Sequence, residues 1–187
     1  ETKLIGEWLM ADCERAWDLK WIGLRYFNVA GAGWPDLADD AVMNLIPMVL
    51  DRVERGESAK IFGTDYDTPD GTCIRDYIHV LDLAEAHIAA LDVLAEGRQP
   101  DHHTYNVGTG LGTSVREIID GLRRVIGWDF PVEELDRRAG DPPKLIGDPL
   151  SIGVDLGWKA NNGVEEILTS AWEGWQAGPR PITVPGA

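Results

Sequence analysis

Short apolar, β-branched runs alternate along this chain with longer segments whose apolar residues recur at helical spacing, and this alternation points to an α/β architecture. The spacing predicts helices over residues 1–17, 39–55, 81–96, 115–126 and 164–176, and strands over 21–27, 59–62, 74–78, 104–108 and 132–135. In 39–55 the apolar stripe is Met43, Leu45, Ile46, Val49, Leu50 and Val53, with Gly56 as the stop. Ser114 and Glu117 have capping-box spacing, Gly127 ends the helix they open, and Asn162 with Glu165 is the expected cap of the last one. Residues 28–33, 63–71 and 137–149 read as loops, and 178–187 as an extended tail. The expected layering is a mostly parallel sheet with helices packed on it.

The formal charge of −15 argues against a nucleic acid or an anionic membrane as partner, since both reward a basic surface. An anionic ligand would then need a local basic pocket. Cys13 and Cys73 are far apart with no Cys-x-x-Cys or Cys/His cluster, so neither a disulfide framework nor a zinc site is indicated, and a reducing cytoplasm is the default. No apolar run approaches the roughly 20 residues of a membrane span. The chain begins inside a helical pattern without a cap, which reads as a truncated start.

The stretch from Asp70 to Val80 plants Arg75 between a Gly turn and an aromatic, β-branched strand, and Arg138 stands in the Pro- and Gly-rich segment downstream. Planar guanidinium forks with permanent charge suit a diphosphate in a partly dry cleft. The plainer readings are an ion pair of Arg75 with Asp76 or Asp82 and a solvated Arg138 near Asp136 or Asp141. Asn28, after an apolar strand and before Gly31 and Gly33, offers an amide to a ligand or a left-handed turn residue. Asn44 lies inside the predicted helix, where an inward amide would need a partner. The four histidines have no metal-ligand spacing and read as structural or exposed, and no Gly-x-Ser-x-Gly elbow occurs. No Gly-x-x-Gly-x-x-Gly is present. Residues 108–112 have the wrong spacing for a dinucleotide fingerprint and read as a tight strand-to-helix turn.

Four segments, Arg25-Tyr26-Phe27-Asn28, Asp70-Gly71-Thr72-Cys73-Ile74-Arg75-Asp76-Tyr77-Ile78-His79-Val80, Tyr105-Asn106-Val107-Gly108-Thr109-Gly110 and Arg137-Arg138-Ala139-Gly140-Asp141-Pro142, resemble the UDP-glucose 4-epimerase family. That family belongs to the extended short-chain dehydrogenase/reductases. Leu156-Gly157-Trp158 resembles a late element of the same family, and the likeness runs from Lys3 to about Trp175.

The resemblance implies the C-terminal part of such a protein, with the last Rossmann elements followed by a smaller α/β substrate-binding domain. Residues 1–38 would be a remnant of the NAD-binding Rossmann domain, and 39–187 mainly the nucleotide-sugar domain, with 74–100 returning to the Rossmann sheet. Arg75 and Arg138 would grip the UDP diphosphate, Asn28 would donate to it, and Asp141 would accept from the uridine ribose. The Lys60 backbone and the Phe62 ring would frame uracil, while Asn44 and Leu45 would lie along the substrate cleft. Leu145 would fall where room for a C2 substituent is set. Tyr26 would approach the nicotinamide end of NAD, and Lys3 would bond the nicotinamide ribose and lower the pKa of a catalytic tyrosine whose place falls before Glu1.

The implied reaction is interconversion of UDP-glucose and UDP-galactose through a 4-keto intermediate. A sugar that must turn over demands that binding concentrate on the nucleotide. A homodimer is expected of the whole protein, and no activity of this chain alone. A related nucleotide-sugar dehydratase or uronate epimerase, or a non-catalytic nucleotide-sugar-binding module, stays open as an alternative.

Overall fold

The computed structural model describes residues 2–39, 41–98 and 102–178. Helix α1 (Thr2–Trp17) leads into strands β1 (Gly23–Tyr26) and β2 (Asn28–Ala30), then a short 3-10 turn, Pro35–Leu37. Next come α2 (Leu45–Glu54), β3 (Ala59–Phe62), β4 (Ile74–His79), α3 (Val80–Ala95), β5 (Thr104–Val107), β6 (Gly112–Ser114) and α4 (Val115–Ile126). The chain continues through β7 (Val132–Leu135), β8 (Lys144–Leu145), α5 (Leu150–Leu156) and α6 (Val164–Ala177).

The α/β class holds, but the expected single sheet is divided. β1 pairs with β5, β2 with β4, β3 with β7 and β8 with β4, all in parallel, whereas β6 joins β4 antiparallel. Two apolar clusters flank these strands. One gathers Leu50, Ile61, Ile118, Leu122, Phe130 and Ile167 between α2, β3, α4 and α6. The other gathers Ile78, Val93, Tyr105, Val107, Ile152 and Trp158 between α3, β4, β5 and α5.

Several boundaries differ from the sequence expectation, each for a local reason. The run 21–27 is not one strand followed by a loop: it breaks at Phe27, because β1 and β2 pair with different neighbours. Asn28–Ala30 is therefore strand. Helix α2 begins at Leu45, not 39, since the Asp39 carboxylate accepts from the Ala41 amide at 3.1 Å and the Asn44 side-chain amide at 3.3 Å and folds the preceding residues into a turn. Asn44 is thus extended (φ −105°, ψ 162°) at the helix boundary.

Within 137–149, expected as loop throughout, β8 pairs with β4. Helix α5, too short for periodicity to reveal, is closed by left-handed Gly157 (φ 67°). The last helix is capped by Gly163 with Glu166, whose carboxylate accepts the Gly163 amide at 3.0 Å, one residue later than expected. Asn162 instead donates its side-chain amide to buried Asp82 at 2.9 Å. The expected capping box of Ser114 and Glu117 forms, with Gly127 as its stop. The tail reading for 179–187 lies outside the described residues.

Helix α1 buries none of its residues, and Leu4, Ile5, Trp8 and Leu9 are exposed along it. Its recorded polar ties to the body are the Arg25–Glu7 ion pair, the bond from the Trp21 indole to Glu14 and a His103–Glu14 contact.

Candidate nucleotide-sugar site

The turn before β4 sets the first arginine. The Asp70 carboxylate accepts from the Thr72 amide and hydroxyl, each at 2.8 Å, and from the Ser114 hydroxyl. Burial works against that charge, but these bonds prevail and hold the carboxyl below its usual value. Gly71, at φ +77°, makes the turn: a Cβ there would stand 2.0 Å from the Thr64 carbonyl oxygen.

Once in β4, Arg75 has a side chain only 13% exposed. Its Nη1 donates to the Pro142 and Ile74 carbonyls, both at 2.9 Å, and its Nη2 lies 3.5 Å from Asp141. The alternative partners Asp76 and Asp82 are occupied by other donors. Asp76 accepts from the Thr109 amide and hydroxyl and from the Gly110 and Gly147 amides, and Asp82 from Asn161 and Asn162. The turn after β5 therefore uses its amides to hold a buried carboxylate, but it leads into β6 (Gly112–Ser114), which pairs with β4, and not straight into a helix as expected.

One cleft of about 220 Å³ gathers most of the proposed substrate residues: Asn28, Asn44, Leu45, Lys60, Phe62, Arg75, Arg138 and Asp141. They arrive from β2, the start of α2, β3, β4 and the loop before β8. Strand alternation explains β3, where Ala59 and Ile61 enter the core and Lys60 and Phe62 face the other way. Lys60 Nζ lies 3.6 Å from Glu133 on the neighbouring strand. Arg138 is exposed, as its plainer reading as a solvated loop charge has it, and its guanidinium carbon stands 3.8 Å from the centre of the Phe62 ring.

A second cleft of about 320 Å³ adjoins the first through shared Asn28, Asn44, Leu45 and Tyr77, and adds Tyr26 at the carboxyl end of β1. Leu145 pairs with Arg75 in register but is 49% exposed and lines neither cleft. Lys3 also lies apart, exposed on the first turn of α1.

Among the lining residues that sequence reasoning did not single out are Arg52, Cys73 and Tyr77. Tyr77 stands two residues beyond Arg75 on the same strand face, a period-2 relation that was available from the sequence. Its Cα pairs with that of Asn28. Burial pushes its pKa up to about 12, against the opposing influence of the Asn28 side chain and of the Arg75 charge.

Residues 1–108 match the NAD dependent epimerase/dehydratase family. The chain belongs to this family. Among similar epimerase/dehydratase relatives, the UDP-glucose 4-epimerase of Rhizobium leguminosarum bv. trifolii is 41% identical over 180 residues, 94% of this chain and 54% of that protein. The UDP-glucose 4-epimerase of Azospirillum brasilense is 44% identical over 179 residues, 92% of this chain and 51% of that one. A crystal structure of the Brucella ovis UDP-glucose 4-epimerase with NAD superposes with a TM-score of 0.85 at 42% identity, covering 92% of this chain and 55% of that one. The Bifidobacterium longum UDP-glucose 4-epimerase with NAD+ and UDP gives 0.79 at 33% identity, covering 93% and 53%. The chain spans about half the length of these relatives.

Proposed function

We propose that the cleft between β3, β4 and the 136–142 loop binds the UDP moiety of a UDP-hexose, and that the whole protein interconverts UDP-glucose and UDP-galactose with bound NAD. The convergence of Arg75 and Arg138, 63 residues apart in sequence, on one cleft of a chain of net charge −15 carries the reading. Arg75 is held in place by two carbonyls, so its remaining donors meet a diphosphate with little further ordering. The Asn28 amide stands beside it at the junction with the second cleft. Phe62 offers a ring to a pyrimidine, and Asp141 a carboxylate to a ribose hydroxyl. Relatives whose structures hold NAD and UDP support the assignment.

The second cleft suits the hexose and the nicotinamide end of NAD. Tyr26 closes parallel strand β1 at its carboxyl end, the usual ligand side of such strands, while Lys3, on α1 outside both clefts, would bond the nicotinamide ribose. NAD would supply an acceptor and donor of hydride. The residues of this chain would hold the nucleotide while the sugar turns. Leu145, next to Arg75 in register, would limit bulk at the sugar's C2 by about 1–3 kcal/mol.

In the same proposal, residues 1–38 belong to the NAD-binding part and 39–187 mainly to the substrate part, with 74–100 returning to the first through the parallel pairing of β4 with β2. The exposed Leu4, Trp8 and Leu9 of α1 would meet a second copy in a homodimer. Cys13 and Cys73, both free thiols, suit a cytoplasmic protein.

Titration with UDP of this chain and of Arg75→Ala tests the reading. Loss of a charged hydrogen bond is expected to weaken binding by about 1.5–3 kcal/mol, and equal affinities would overturn it.

A further inference from the structure

Three arginines line the cleft; Arg52 is paired with Glu57, and the other two are held in different ways. Arg75 is fixed by backbone carbonyls and is mostly buried. Arg138 is exposed and makes no ion pair among the described residues; its recorded side-chain contact is the Phe62 ring, with the guanidinium carbon 3.8 Å from the ring centre. Phe62 is half-buried on the face of β3 that looks away from Ala59 and Ile61 and into the cleft. Arg138 thus covers ring surface on the cleft side.

We propose that the Arg138–Phe62 stack is a selectivity latch that makes the diphosphate grip depend on the arrival of a planar base. The inference rests on the reading of this cleft as a nucleoside-diphosphate site. A pyrimidine placed against Phe62 competes with the guanidinium for ring surface, and the displaced guanidinium is then free to move to the diphosphate. An anion without a base, such as inorganic phosphate, pyrophosphate or a sugar phosphate, must draw Arg138 from the ring with nothing to replace the contact. An exposed cation–π contact corresponds to about two- to fivefold in an equilibrium constant, and base stacking restores it only for nucleotides. Phe62 therefore selects twice: it favours a base, and it penalises small anions that Arg75 and Arg138 would otherwise attract. Discrimination arises from the difference between the two ligands.

The test is calorimetric titration of this chain, Phe62→Leu and Phe62→Trp with two probes, UDP and inorganic pyrophosphate, after matched thermal unfolding profiles. With the latch, Phe62→Leu binds pyrophosphate about two- to fivefold more tightly than wild type while binding UDP more weakly. Phe62→Trp, whose larger ring holds a guanidinium better, binds pyrophosphate about twofold more weakly, an effect that does not depend on the leucine variant folding. Unchanged or weaker pyrophosphate binding in Phe62→Leu, or unchanged binding in Phe62→Trp, overturns the latch and leaves Phe62 as a base platform alone. If Arg75→Ala binds both probes as wild type does, the cleft reading itself fails, a result separable from failure of the latch.

Discussion

The imidazole of His79 joins two helices: its Nδ1 accepts from the Leu81 amide at 3.1 Å at the start of α3, and its Nε2 lies 3.0 Å from the Ser170 hydroxyl on α6. An accepting Nδ1 assigns the ring proton to Nε2, which donates to Ser170 Oγ, and Ser170 also accepts from the Ala32 amide and donates to the Ile167 carbonyl. Protonating Nδ1 would therefore remove the acceptor that caps α3.

Burial lowers the pKa of His79 from 6.5, with the charges of Asp82 and Glu166 opposing part of that shift. An unfolded chain takes up the proton first as pH falls, so the contribution of His79 to stability is complete above about pH 6.5 and is lost as pH drops toward the folded value. Urea denaturation between about pH 5 and 8 should show stability falling on the acid side, and a shallower fall in His79→Gln. An identical acid slope in the variant would exclude His79 as a source.

The turn that delivers Arg75 depends on Gly71. Its φ of +77° is left-handed, and a Cβ would press on the Thr64 carbonyl oxygen, a backbone atom that cannot rotate away. Gly71→Ala should cost about 3 kcal/mol and lower the unfolding midpoint by about 6–12 °C. A midpoint within about 2 °C of wild type would show that the turn can rearrange.

Legibility followed the length and periodicity of each element. Helices α3, α4 and α6 and strands β3, β4, β5 and β7 were readable because each repeats its pattern over enough residues, and the capping pair of Ser114 and Glu117 is local chemistry. Elements set by distant partners were not. The break at Phe27 reflects different partners for β1 and β2, β8 is only a two-residue pairing with β4, and Asn162 gives up a capping role for a carboxylate 80 residues earlier. Likewise, Arg75, Arg138 and Phe62 were visible through family words, whereas the stacking of Arg138 on Phe62 and the pairing of Tyr77 with Asn28 across strands exist only in three dimensions.

Asp76, directly after Arg75 and fully buried, gathers three segments beneath the cleft. It accepts from the Thr109 amide at 2.9 Å, the Thr109 hydroxyl at 2.7 Å, the Gly110 amide at 3.0 Å and the Gly147 amide at 3.2 Å. Asp76→Ala leaves those amides unsatisfied and should cost about 3 kcal/mol in urea denaturation. Asp76→Asn keeps the volume but sets an amide among donors, so it should lie between wild type and alanine. If asparagine proves as stable as aspartate, the carboxylate charge is not what holds these segments.

Tyr77 gives the alkaline counterpart of His79. Its hydroxyl is buried at the meeting of the two clefts, and its pKa is pushed up to about 12 from 10.0, chiefly by burial. Between those values the unfolded chain releases the phenolic proton while the folded chain retains it, so stability present below pH 10 is lost as pH rises toward 12. Burial raises the Tyr66 pKa as well, so ultraviolet titration of the folded protein should show more than one phenolate appearing late, and Tyr77→Phe should remove one of them. The same variant removes a hydroxyl from the lining shared by the two clefts, so UDP binding should weaken by about threefold to tenfold at neutral pH, where the phenol of the wild type is neutral. Loss of one late phenolate without any loss of UDP affinity would make Tyr77 a wall of the cleft whose hydroxyl plays no part in binding.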